Sequence, residues 1–425
     1  MVAFPMPAWL ARRLGSGTAT PWCRTALATS PSLQDTLEAI SRQLRGVGKA
    51  DLGLVFVSAS YASDLPRLLP LLRERFQATH WLGCLGGGVV GTPQGGDSRE
   101  LEREPGVSVM LLRLPGARLM PFAIEAGELP DLDGPSEPWL ALLGNPDPAT
   151  AHSMLLLVDP GFPAINDLIS GLDYACPAAA KVGGIAGQHS APHGSLLFDD
   201  RVCGGAVGCL IDGAWGLDPV VAQGCRPIGP VFEVEQARRN VVLEVSQQNR
   251  RNSPVAALQE ILTQLTPEER ELVKHSLFLG VGRSSFSLET GDQQEPTTFL
   301  VRNLIGVDPR NGAVAVAERM RVGQQVQFQL RDAEASRQEL RQLLKQQQGR
   351  PAQPLAALLF ACLGRGQGLY GHADGDVSLC RERFGALPLS GAFCNGEIGP
   401  IAGSTQLHGY TASWGFVVPR RPEGP

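Results

Sequence analysis

Residues 391–400 read GAFCNGEIGP, placing a thiol (Cys394), an amide (Asn395) and a carboxyl (Glu397) among glycines. A thiol and an acid this close suit a nucleophile and its acid–base partner. His408, further along, could supply the base that such a thiol needs to lower its pKa. The competing reading is packing, because a free cysteine usually behaves as a small buried hydrophobe, and for Cys394 that is the reading favoured. Glu397 is harder to assign to packing. A carboxylate between Gly396 and Ile398 is costly if buried unpaired, so it is exposed, ion-paired or hydrogen-bonded to backbone amides. Arg365, in CLGRG at the end of a strand-like run, is its expected counterpart. The ends of parallel strands are where open α/β sheets bind ligands.

Other constellations carry less. Two literal G-x-G-x-x-G strings occur, GGGVVG (86–91) and GQGLYG (366–371). A dinucleotide site needs a helix opening inside the motif, whereas the second string runs into His372-Ala-Asp-Gly-Asp376, a turn composition. No GxxxxGK[ST] phosphate loop and no GxSxG elbow is present. His189, His193, Asp199, Asp200 and Cys203 crowd together, but Pro192 and Gly194 prevent a helix from presenting both histidines on one face, and a hairpin turning at Asp199-Asp200 fits better. The expectation is therefore no catalytic residue, no metal and no cofactor.

Elements must position these residues, and one pattern recurs three times. Strand-like runs at 52–58 (LGLVFVS), 154–159 (MLLLVD) and 355–362 (LAALLFAC) are nearly uncharged, as strands buried on both faces are. Helix candidates follow at 64–76, where Asp64 can cap and Pro66 suits the first turn, at 165–175 and at 376–384. A glycine-rich turn comes next each time: LGCLGGGVVG (82–91), VGGIAG (182–187) and LSGAFCNGEIG (389–399). Further strands are expected at 107–112, 206–211 and 410–418. Between the second and third copies lies different material: a strand at 241–245, helices at 256–265 and 267–275, strands at 277–281 and 298–305, a tight turn at Asn311-Gly312, a strand at 313–317 and a helix at 331–348. Residues 127–148 read as a polar, proline-rich mobile loop. The fold class expected is α/β, two related modules of repeated strand–helix–strand units with Gly-rich turns. The boundaries are a flexible N-terminus over 1–22, modules over 23–223 and 224–418, and a tail over 419–425.

Bulk properties narrow the function. The chain has 425 residues, 43% hydrophobic and 19% charged, with a formal net charge of −5. Its 37 basic residues are dispersed, so nothing favours nucleic acid or acidic lipid. Nine cysteines without a CxxC suggest reduced thiols inside a cell. No apolar run reaches membrane-spanning length. Arg12, Arg13 and Arg24 in an acid-free N-terminus faintly suggest organelle import, against a cytoplasmic default.

The C-terminal half resembles the FIST sensory domain in FACLGRGQGLYG (360–371), RFGALPLSGAFCNGEIGPIAG (383–403) and LHGYTASWGF (407–416). In the N-terminal half, HWLGCLGGGVVG (80–91), KVGGIAGQ (181–188) and GAVGCLIDG (205–213) are similar to that family's N-terminal module, and GCRPIGP (224–230) to its junction. The resemblance implies an intracellular sensor of a small ligand, with amino acids suggested, acting in signal transduction through a separate protein partner because no output domain is recognisable. Its signature positions give the candidate ligand-binding set: Arg365, Gly366, Gly391, Cys394, Asn395, Gly396, Glu397, Tyr410 and Thr411. On this reading Arg365 meets a ligand carboxylate, and Glu397 faces an ammonium group or orients Arg365. A protein-interaction scaffold is the alternative, and an enzyme using Cys394 or Glu397 comes last.

Overall fold

The computed structural model describes residues 20–283 and 298–420, so most of the N-terminal segment and the last residues of the tail lie outside the described residues. Unit one runs β1 (Trp22–Ala28), α1 (Leu33–Gln43), β2 (Ala50–Ser58), α2 (Leu65–Arg75), β3 (Ala78–Gly86), β4 (Val89–Gly91), β5 (Arg99–Leu101) and β6 (Val107–Arg113). Unit two repeats the order with β7 (Ala117–Ile124), α3 (Glu137–Leu142), β8 (Ser153–Val158), α4 (Ile165–Ala175), β9 (Ala180–Ile185), β10 (Leu196–Phe198), β11 (Arg201–Cys203) and β12 (Ala206–Gly213). Unit three opens with β13 (Trp215–Ala222) and is then interrupted. The interruption holds β14 (Cys225–Pro227), β15 (Phe232–Arg238), β16 (Val241–Gln247), β17 (Arg250–Asn252), α5 (Pro254–Gln264), α6 (Pro267–Ser276), β18 (Leu277–Arg283), β19 (Thr298–Asp308), β20 (Ala313–Val316) and β21 (Gln325–Arg331). Unit three resumes with α7 (Ala333–Gln348), β22 (Ala356–Cys362), the single turn α8 (Gln367–Tyr370), α9 (Gly375–Phe384), β23 (Leu389–Cys394), β24 (Glu397–Ile401), β25 (Ser404–His408) and β26 (Ala412–Pro419).

The units form three sheets by exchanging hairpins in a cycle. Each sheet has the same core, two antiparallel strands beside a parallel pair: β1-β6-β2-β3, β7-β12-β8-β9 and β13-β26-β22-β23. Its last two strands come from another unit. Unit two lends β10-β11 to the first sheet, unit three lends β24-β25 to the second, and unit one lends β4-β5 to the third. No unit is therefore complete alone, and β13 and β26 share a sheet across the junction at 224–230.

Apolar pattern explains the layers. The inner faces of the sheets meet in one core that includes Phe56, Leu155 and Phe360, with the Phe56 and Phe360 rings edge to face at 5.7 Å. Helices cover the outer faces, α1 and α2 on the first sheet, α3 and α4 on the second, α7 and α9 on the third. This double coverage is why β2, β8 and β22 are continuous apolar runs. The interrupting segment closes on itself, because β21 pairs with both β15 and β18 and so completes the ring β15-β16-β20-β19-β18-β21. This barrel has a separate core around Val234, Leu279 and Phe328.

The mixed α/β class and the repeated strand–helix units are as the sequence implies. Two local expectations are corrected. Asp64 stands at the N-cap of α2 but makes no capping bond; its carboxylate pairs with Arg67 instead, at 3.2 Å. The segment 127–148 contains α3, anchored by the fully buried Trp139, whose ring lies so close to Gly171 of α4 that a Cβ there would come within 2.1 Å.

Candidate functional site

The three glycine turns meet where the sheets converge. Gly83, Gly183 and Gly391 are equivalent: a Cβ on each would lie 1.9, 1.7 and 1.9 Å from the carbonyl oxygens of Val55, Leu156 and Leu359 on the adjoining parallel strands. Beyond them the turns bond to one another in a ring. Gly87 N donates to Phe393 O, Asn395 N to Ile185 O and Gly187 N to Leu85 O, at 2.8–2.9 Å. Reciprocally, Phe393, Ile185 and Leu85 donate to the carbonyls of Gly88, Gly396 and Ser195 at 2.8–3.0 Å. The correspondence fixes which residues occupy like positions: Val89, Leu196 and Glu397 follow those three acceptors. Two are apolar and one is an acid.

Glu397 is completely buried. Its Oε2 accepts the Thr411 amide at 3.1 Å, while Oε1 has no hydrogen-bond partner among the described residues. The Cys362 thiol, a weak donor, lies beside the carboxyl. Burial raises the pKa of Glu397 well above the ordinary carboxyl range, and the Thr411 amide, Arg365 and Arg331 counter only part of that effect, so the neutral acid is favoured.

Arg365 does not pair with Glu397. It is fully buried, and Asp376 in the first turn of α9 holds it in a fork, Nε to Oδ2 at 2.8 Å and Nη2 to Oδ1 at 2.7 Å. Nη2 also donates to the Tyr370 hydroxyl (2.7 Å) and to Ser336 Oγ (3.0 Å), and Nη1 reaches the Tyr410 carbonyl at 3.4 Å. The expected ion pair is thus replaced by Arg365–Asp376, and the guanidinium is satisfied within the protein. Behind it Glu100 caps α9, accepting the amides of Asp376 and Val377 at 2.9 Å. Burial, and then the Asp376 charge, pushes the Glu100 pKa up to about 8.

The barrel closes over this end of unit three. Arg331, last residue of β21, donates to the Gly364 carbonyl and lies over the Tyr410 ring at 4.7 Å. Phe278 of β18 packs against that ring at 4.6 Å. Tyr410 has φ +63°, a left-handed conformation uncommon for a bulky residue, and its neighbours hold it there. Arg331 Nε is buried without a partner among the described residues, and Asn395 and Leu363 lie exposed at the rim. Gly366, also left-handed at φ +56°, sits against the Glu102 carboxylate.

Other candidates fall away on geometry. Cys394 is buried, and desolvation lifts its thiol pKa well above normal. His408 is the register partner of Glu397, yet its Nε2 meets the Gly399 carbonyl at 3.0 Å, and burial lowers its pKa to about 4. Among the described residues no group of three or more His, Cys, Asp and Glu is placed to hold an ion. His189 Nε2 does come within 3.1 Å of Ser195 Oγ, a contact not foreseen from sequence. Its Nδ1 accepts the Ala191 amide, so the neutral ring carries its proton on Nε2 and donates to the serine. It is the wrong tautomer for a base. Cavities of about 270 and 260 Å³ lie at the other end of the parallel strands, by Asp51 and Arg113 and by Lys49 and Arg73.

Of the sequence candidates, Glu397, Tyr410, Thr411 and the glycines are gathered here. Sequence reasoning did not name Arg331, Asp376, Tyr370 or Ser336 among its candidates. The only available signal was Asp376 in the first turn of the expected 376–384 helix. Among the described residues no helix is long and apolar enough to cross a membrane.

Residues 51–248 match the FIST N domain and residues 254–400 the FIST C domain. An uncharacterized protein of Mycobacterium tuberculosis is 34% identical over 413 residues, 96% of this chain and 100% of that one. One from Mycobacterium bovis is 39% identical over 268 residues, 62% of this chain and 67% of that one. Among solved structures, a cyanuric acid hydrolase from A. caulinodans covers 95% of this chain at 9% identity and a TM-score of 0.31, a likeness too low to carry any argument. The chain belongs to the FIST family, whose domains are sensory domains of signal transduction that bind small ligands.

Proposed function

We propose that this chain is a ligand-binding sensor and not an enzyme. It takes a small polar ligand, an amino acid being the reference case, where the barrel meets the glycine turn of unit three. One observation carries the reading. Glu397 is a fully buried carboxyl with one oxygen unpartnered, at the position where the two equivalent turns carry Val89 and Leu196. An unsatisfied buried polar group costs about 1–3 kcal/mol, and such a cost is characteristic of a site shaped for a ligand. Junctions between domains are also where ligand sites concentrate.

Arg365 then acts by position: it clamps α9 and the Tyr410 carbonyl, and so sets the turn whose Thr411 amide holds Glu397. Gly391, Gly396 and Asn395 shape the rim, and Cys394 is packing. Because Arg331 and Phe278 come from the barrel while Tyr410 comes from unit three, an occupant would bias how the two bodies sit together, a change that a separate protein could read. The nine free cysteines suit a reducing cytoplasm. Isothermal titration of the purified chain against the twenty amino acids tests the reading. Saturable binding of at least one, abolished in Glu397→Leu, is expected; no binding across the panel would overturn it.

A further inference from the structure

We infer that the group recognised at this site is a carboxylate of the ligand, met by two hydrogen-bond donors, the Glu397 Oε1 hydroxyl and Arg331 Nε, and that an ammonium group on the ligand contributes nothing. The inference rests on the sensor reading and reverses the role first expected of Glu397.

The donor assignment follows from what each atom already does. Glu397 Oε2 accepts the Thr411 amide and serves as the carbonyl-like oxygen, which leaves Oε1 as the hydroxyl, buried and without a partner. A neutral carboxyl with its hydroxyl free can donate to an anion and gives an ammonium no charge to bind. At this site Arg331 Nε is also a buried donor without a partner among the described residues, and its planar guanidinium, over the Tyr410 ring, suits a carboxylate. The neighbouring acids have partners: Asp376 has Arg365, Glu339 the Gly224 amide, Glu318 Arg283 and Arg302, and Glu102 the Gln367 amide; Glu100 holds the Asp376 and Val377 amides through Oε1, and its Oε2 is buried without a partner among the described residues.

The groups around Glu397 also set how binding varies with pH. Cys362 on β22 has its thiol pKa pushed up to about 11, largely by burial. Cys394 on β23 is likewise raised, first by burial, and burial lowers His408 on β25 to about 4. Arg331 and Arg365 remain cationic, as arginine does in proteins. Glu100, behind Asp376 and raised to about 8, also changes charge near this site; ionisation of Glu397, whose pKa burial raises, would set a second anion against the ligand's.

The test uses matched probes on the full chain: L-alanine, propionate and ethylamine, then L-phenylalanine, phenylpropionate and phenethylamine, by isothermal titration from pH 6 to 9. In at least one series the carboxylate-only probe is expected to bind within about threefold of the amino acid, with no binding of the amine. Any fall in affinity with rising pH should persist in Glu100→Gln and be absent from Glu397→Gln. Glu397→Gln keeps a donor of the same shape, so it should retain binding and lose that pH dependence. Arg331→Met should weaken binding about tenfold to a hundredfold, the scale of one charged hydrogen bond. Melting curves of both variants check that the fold is kept. If the amine binds and the carboxylate does not, or if Glu397→Gln abolishes binding in a folded protein, the inference is overturned while the sensor reading stands. If no probe of either series and no amino acid binds, both fall together.

Discussion

Replacing Arg365 with methionine, a side chain of similar length, removes four bonds of 2.7–3.0 Å in a fully buried site. Asp376 keeps only the Tyr370 hydroxyl, at 2.7 Å, against its charge. Breaking a buried pair from one side costs about 3–5 kcal/mol, because the remaining ion stays desolvated. Against a total stability of about 5–15 kcal/mol for a folded protein, that is a large fraction. Asp376→Leu should cost a similar amount, by stranding the arginine. The double variant Arg365→Met/Asp376→Leu leaves no uncompensated ion and should lose only about 0–2 kcal/mol, since apolar replacements of buried pairs are often close to neutral. Urea denaturation followed by tryptophan fluorescence is the assay. No tryptophan lies between residues 225 and 331, so the signal reports the three-unit body and not the barrel. A loss below about 1 kcal/mol in Arg365→Met, or a double variant that loses the sum of the singles, would refute the claim that this pair holds the turn.

Gly391→Ala should destabilise by several kcal/mol or leave insoluble protein, because its Cβ would sit 1.9 Å from the Leu359 carbonyl oxygen. Gly127→Ala, with nothing within 4 Å, is the neutral control in the same thermal melts. The Glu100 pKa of about 8 gives a pH prediction. The folded state holds a proton there that the unfolded chain, with an ordinary value near 4.5, has already released, so stability falls as pH rises from 4.5 and levels off above 8. Measured between pH 6.5 and 8, above the range in which His408 takes up a proton on unfolding, Glu100→Gln should make that fall shallower, leaving the part that the likewise raised Glu397 contributes; an unchanged slope would show that Glu100 is not neutral in the fold.

Much of the framework was legible because its strands are buried on both faces. LGLVFVS, MLLLVD and LAALLFAC carry no charge before the final acid of the second, and the glycines beside them are required by backbone contact and not by loop flexibility. The hairpin exchange was not legible. Strands β4, β5, β10 and β11 have three residues each, too few for an alternating pattern, and their pairing is decided by the distant strand ends they meet. The choice of counterpart for Arg365 failed for a related reason. Both Glu397 and Asp376 are acids close to the end of β22, and only the placement of α9, with Glu100 of unit one capping it, decides between them.

The cyclic exchange bears on the site itself. The backbone ring around the axis is close to threefold, so a substitution at one of the three like positions creates chemistry without disturbing the scaffold that the other two maintain. Val89 and Leu196 fill their positions with apolar side chains, while Glu397 replaces one such side chain by a carboxyl that the fold only half satisfies. The barrel breaks the symmetry at the same unit: it interrupts unit three alone and brings Arg331 over Tyr410, the residue before the one whose amide holds that carboxyl. The half-satisfied acid and the inserted body therefore meet at one unit although Arg331 and Glu397 lie 66 positions apart in the sequence. Were Glu397 merely a tolerated polar substitution, Glu397→Leu would stabilise the chain by removing an unsatisfied buried group, by about 1–3 kcal/mol, and would leave every other property unchanged. Increased stability accompanied by loss of ligand binding is the combination that separates a site from a flaw in the core.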